Sequence, residues 1–124
     1  MIEALSRFLK GKEAAPAVNR AALRELTGGD IEFERELAET FVRSGDQCLA
    51  EIIAALKVSD LDTVRKRAHS LKGASANIHA LDLSQVASSL ESAARENSVP
   101  AVSGLVAELT EKLAAVNAEL RKVG

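Results

Sequence analysis

The stretch Leu61-Asp62-Thr63-Val64-Arg65-Lys66-Arg67-Ala68-His69-Ser70-Leu71-Lys72-Gly73-Ala74-Ser75-Ala76-Asn77-Ile78 decides how the chain must fold. Leu61, Val64, Ala68, Leu71, Ser75 and Ile78 are apolar or small and alternate in spacings of three and four. That rhythm makes one continuous seam and predicts a helix over about Leu61 to Ile78. His69 lies off the seam. At about 3.6 residues per turn, Arg65, His69, Lys72, Gly73 and Ala76 gather on the outward side. The imidazole there stands among two cations and two residues with little or no side chain, a reactive group with room beside it. Ser59-Asp60-Leu61-Asp62 provides an N-cap and an acidic first turn, matched to the positive end of the helix dipole.

Upstream of this segment, Asp30 offers a cap, and Phe33, Leu37, Phe41, Cys48, Leu49, Ile52 and Leu56 keep helical spacing for about seven turns. Gly45 in its middle marks a bend or a close helix approach, since an isolated helical glycine costs only about 1 kcal/mol and forces no break. Downstream, Asn77, Ile78 and His79 form a corner, and both Asn and His tolerate positive φ. Leu83, Val86, Leu90 and Ala94 make the next apolar face, which ends near Asn97-Ser98-Val99-Pro100. Val102, Leu105, Leu109, Leu113, Val116, Leu120 and Val123 form the last seam. Four long amphipathic segments with short connections predict an all-α fold, an antiparallel up-down four-helix bundle.

One or two extra short N-terminal helices are expected before it. Asn19 caps a segment containing Leu23 and Leu26 that Gly28-Gly29 ends. Ile2, Leu5, Phe8 and Leu9 give Met1 to Lys10 an apolar side, and Gly11-Lys12-Glu13-Ala14-Ala15-Pro16 reads as a linker. The expected division is an N-terminal helix and linker over 1–18 and the bundle domain over 19–124.

At 124 residues the chain has the size of one domain with a single core. It is 47% apolar and 27% charged, but only 2% aromatic with no Trp or Tyr, which suits close-packed helices better than strands. A formal net charge of −2 lacks the basic excess of a nucleic-acid surface. The single Cys48 excludes an internal disulfide, and no secretory signal or long apolar span is recognisable. No membrane insertion is expected, and the expected location is cytoplasmic, alone or as the soluble part of a larger membrane-bound protein. His69, His79 and Cys48 lack metal-ligand spacing, and Gly11-Lys12 lacks the flanking residues of a phosphate-binding loop. A metal or nucleotide site belonging to the chain itself is therefore not expected.

Ala68-His69-Ser70-Leu71-Lys72-Gly73, continued by Ala74-Ser75-Ala76-Asn77-Ile78, resembles the signature of histidine-containing phosphotransfer (HPt) domains. The likeness extends to the acidic stretch Phe33 to Leu56, the polar break with Asp60, and Leu83, Leu90-Glu91 and Arg95, covering roughly residues 20 to 120. It departs at His79, where the family usually has Gly. The resemblance implies that His69 is a phosphoacceptor, charged by an aspartyl phosphate on a response-regulator receiver domain and discharged onto another receiver aspartate. A sensor or hybrid histidine kinase would stand in the same two-component phosphorelay, and the receiver would supply Mg²⁺. Glu91 is implied as the acceptor that holds one ring nitrogen while the other attacks.

Residue chemistry adds the remaining roles. Lys72, three residues from His69 and on its side, can neutralise phosphoryl oxygens. Gly73, an odd choice inside a helix, leaves space for a partner to come close. A docking surface would combine Gly73 and Ala76 with a basic fringe of Arg65, Lys66 and Lys72, and the resemblance implies Arg95 as a further basic candidate, since some family members are basic after the Leu-Glu pair. The expected protein is a monomeric phosphoryl carrier, not an enzyme. Two alternatives stay open: the phosphoacceptor domain of a chemotaxis-type kinase, and a non-catalytic helical adaptor in which His69 is incidental.

Overall fold

Three helices begin where a polar side chain turns back onto N–H groups that have no partner within the helix. Asn19 accepts from Ala22 N at 3.0 Å, Asp30 from Glu32 and Phe33 N at 3.0 and 3.1 Å, and Asp60 from Thr63 N at 3.2 Å. In the computed structural model, which describes residues 17–122, the helices are α1 (Arg20–Leu26), α2 (Ile31–Lys57), α3 (Leu61–Asn77), α4 (Leu81–Arg95) and α5 (Val99–Leu120). No strand is present among the described residues. The expected Met1 to Lys10 helix and its linker lie outside them, as does Val123. Ala17 and Val18, at the end of the expected linker, are described, and Val18 is fully buried in the core.

The three corners of the bundle share one construction. Each connection is three residues long, at 58–60, 78–80 and 96–98. Its middle residue is left-handed: Ser59 at φ 58°, His79 at 62° and Asn97 at 59°. In each corner two N–H groups return to the last turn of the helix just ended. The pairs are Ser59 N to Leu56 O with Asp60 N to Ala55 O, His79 N to Ala76 O with Ala80 N to Ser75 O, and Asn97 N to Ala94 O with Ser98 N to Ala93 O. These are Schellman closures, which satisfy terminal carbonyls while reversing the chain. His79 thus takes the backbone conformation expected of Gly at that corner, and its carbonyl also accepts from Asn19 N at 3.0 Å, tying down the start of α1.

Reversal in so few residues forces antiparallel neighbours, and α2 to α5 close into a ring. α3 packs on α2 and α4, α4 on α5, and α5 on α2. The core comprises Leu23, Phe41, Ile52, Val64, Leu71, Leu83, Leu90, Val102, Leu109, Leu113 and their neighbours. Every residue of the Leu61-to-Ile78 seam is buried. Gly45 leaves α2 unbroken and marks a close approach instead: a Cβ there would sit 3.2 Å from Leu113 Cδ1. Beside it, Asn117 Nδ2 on α5 donates to Asp46 Oδ1 on α2 at 3.0 Å.

Phe33 departs from the expected face. It is 44% exposed, whereas Glu34 is 1% exposed. At about 100° per residue, Phe33 lies about 80° around the helix from Phe41, and Glu34 only about 20°. The cost of an inward carboxylate is partly offset by Arg24 of α1, whose Nε lies 3.5 Å from Glu34 Oε1.

Candidate functional site

His69 on α3 and Glu91 on α4 stand ten residues before and twelve after His79. In an antiparallel pair those distances from the corner bring them level, because each helix advances about 1.5 Å per residue. Buried small residues on both helices, Ala68 and Ser75 on α3 and Ala87 and Ala94 on α4, permit a close approach. Ser75 satisfies its buried hydroxyl on Leu71 O at 2.7 Å. Ser84 Oγ donates across the pair to Lys72 O at 3.0 Å. Ser84 was not singled out from sequence. It falls seven residues before Glu91, about two turns, and so shares its face; that was the available signal.

Glu91 receives three donors. His69 Nδ1 lies 3.0 Å from Oε2, Arg95 Nη2 donates to the same oxygen at 3.1 Å, and Lys72 Nζ lies 2.9 Å from Oε1. The carboxylate is 8% exposed, while the His69 ring is 65% exposed and Arg95 60%. The hydrogen bond from Lys72 holds the Glu91 carboxyl below the usual carboxylate range, aided by the bond from His69 and opposed by desolvation. Glu91 is therefore ionised at neutral pH and can only accept. A neutral His69 facing it must carry its proton on Nδ1, which leaves the Nε2 lone pair free.

The other residues expected at the site are arranged around this group. Gly73 is exposed, with no atom within 4 Å of where a Cβ would stand, so the chain's own packing does not demand glycine there. Ala76 is exposed as well. Arg65 Nη2 and Lys66 Nζ both engage Asp62, at 2.9 and 3.2 Å, so their charge is shared with a carboxylate of their own helix. Lys72 and Arg95 rest on Glu91 rather than standing free. Among the described residues, no three or more His, Cys, Asp or Glu side chains converge to hold a metal, and no helix is long and apolar enough to cross a membrane.

The four-helix bundle thus presents a largely exposed imidazole from mid-helix, with Nδ1 held against a buried carboxylate. The Hpt domain family matches residues 36–119, and the chain belongs to that family. It is similar to the crystal structure of histidine-containing phosphotransfer protein B (HptB) from Pseudomonas aeruginosa PAO1. The identity is 28% over 87% of this chain and 94% of that one, with a TM-score of 0.81. No curated protein matches. The chain is thus a histidine phosphotransfer protein of phosphorelays, a carrier whose family implies receiver-domain and kinase partners.

Proposed function

We propose that His69 is the acceptor and that Nε2 takes the phosphoryl group from an aspartyl phosphate on a receiver domain. The observation that carries this reading is the pairing of a tethered Nδ1, 3.0 Å from Glu91, with a ring 65% exposed. The Nε2 lone pair forms the new N–P bond as the P–O bond to the receiver aspartate breaks, and that aspartate leaves as a carboxylate. No proton moves. The ring keeps its Nδ1 proton and gains positive charge, which Glu91 stabilises at hydrogen-bond distance. Transfer to a second receiver reverses these bonds, and the ring returns to neutral.

Lys72 is assigned to the phosphoryl oxygens, leaving Glu91 for them as negative charge arrives. Gly73 and Ala76 leave the space that an in-line approach needs, with Arg65, Lys66 and Arg95 at its edge. Mg²⁺ arrives with the receiver, and nucleotide chemistry takes place elsewhere. One copy supplies His69, Lys72, Glu91 and Arg95, so the working unit is a monomer. The test is to mix the protein with a phosphorylated receiver and Mg²⁺ and look for acid-labile, base-stable label. The expected result is label on wild type and none on His69→Gln; no label on wild type, or undiminished label on the variant, refutes the proposal.

A further inference from the structure

The division of donors over the two Glu91 oxygens is unequal in a way that bears on what happens during transfer. Lys72 has Oε1 to itself at 2.9 Å, while His69 Nδ1 and Arg95 Nη2 share Oε2 at 3.0 and 3.1 Å. Lys72 belongs to α3, as His69 does, and Arg95 follows Glu91 by four residues on α4. If Lys72 swings to the phosphoryl oxygens, it vacates Oε1 and removes what is, among the described residues, the only cation that holds the carboxylate from the histidine's side. The oxygen that the ring needs is still held by Arg95, from the helix that carries Glu91 itself. An i,i+4 pair on one helix is insensitive to small movements of α3 against α4.

We propose that Arg95 is a positioning residue for the transfer: it keeps Glu91 Oε2 aimed at His69 Nδ1 when Lys72 departs, so the ring retains its tautomer and orientation throughout. This rests on the reading of His69 as acceptor and deepens it, because it assigns Lys72 and Arg95 different tasks although both touch the same carboxylate. Lys72 is the donor that can be spared, and Arg95 is the one that stays. Arg95 acts through Glu91 and needs no contact with the phosphoryl group.

The experiment reads the ring nitrogens directly. In the 124-residue chain, labelled with ¹⁵N in the histidine ring and held at about pH 8, above the ordinary histidine range, ring couplings report which nitrogen of His69 bears the proton. Lys72→Ala alone retains the Nδ1–H form. The double variant Lys72→Ala/Arg95→Ala loses it, with the Nδ1–H to Nε2–H ratio falling by about tenfold, the scale of one charge-assisted hydrogen bond. Arg95→Lys in the Lys72→Ala background restores it, which simple disruption of the fold would not allow. Loss in Arg95→Ala alone also supports the proposal.

A double variant with the wild-type ratio overturns it, and so does Lys72→Ala that is as damaged as the double. A drop in receiver affinity of Arg95→Ala, with every ratio unchanged, makes Arg95 a docking contact instead. Failure of the acceptor reading is separately visible: wild type then takes no label from a phosphorylated receiver, whatever the ring spectrum shows.

Discussion

Truncating Glu91 tests the centre of the mechanism, because one buried carboxylate serves three donors at 2.9 to 3.1 Å. Glu91→Ala removes the partner of His69 Nδ1 and, in the proposed transfer, the charge that balances the ring as the N–P bond forms. A hydrogen bond to a charged group is worth about 1.5–3 kcal/mol, so the rate of transfer at saturating receiver falls by about ten- to a hundredfold. Glu91→Gln is graded between this and wild type. Its amide oxygen can still accept from His69 and Arg95, but its NH₂ group then faces the Lys72 ammonium, and the negative charge is gone. About tenfold is expected. Lys72 and Arg95 are exposed enough to hydrate when released, so the fold itself loses only about 1–2 kcal/mol in Glu91→Ala. The assay is single-turnover transfer from a phosphorylated receiver at several receiver concentrations, which separates docking from chemistry. A saturating rate for Glu91→Ala within about twofold of wild type refutes the tether and leaves Glu91 as an ordinary ion-pair partner.

Other perturbations follow from the same geometry. Because the folded carboxyl of Glu91 is held below its ordinary range, it contributes stability that is fully present above its unfolded pKa and lost as pH falls through the folded value. The urea stability gap between wild type and Glu91→Gln should therefore be present at neutral pH and close below the usual carboxylate range; a gap constant down to strong acid contradicts the assignment. Gly73→Ala places a methyl group in open space and should raise stability by up to about 1 kcal/mol in thermal unfolding. Gly73→Gln should weaken receiver affinity in titration calorimetry without unfolding the helix; retained affinity removes the close-approach argument. Gly45→Val meets Leu113 Cδ1, already 3.2 Å from the missing Cβ, and should cost about 1–3 kcal/mol in urea unfolding. An unchanged midpoint would show that α2 and α5 part easily.

Much of this protein is local and therefore legible in residue order. The Leu61-to-Ile78 seam, the caps at Asn19, Asp30 and Asp60, and the left-handed corner at His79 each depend on residues within a turn or two. Together they determine the helices, the corners and the up-down order, and they turn His69 outward. Phe33 and Glu34 mark the limit of such reading. A run of apolar residues suggested Phe33 for the buried face, but the phase of α2 carried Glu34 inward, where Arg24 of another helix lies beside it.

Several members of the candidate site were legible, Ser84 was not, and neither were the connections among them. His69, Lys72 and Gly73 share a helix face, which spacing alone establishes. That Glu91 accepts from His69, Lys72 and Arg95 together, with Lys72 on one oxygen and the other two on its twin, depends on how α3 and α4 are rotated and staggered against each other. Rotation and stagger come from packing small residues such as Ala68 and Ala87 and from the Ser84 bond to Lys72 O, which join residues distant in the chain. Residue order thus set the direction in which His69 faces, while only the packed helices decided which of its nitrogens is tied, because that choice is made by a carboxylate twenty-two positions away.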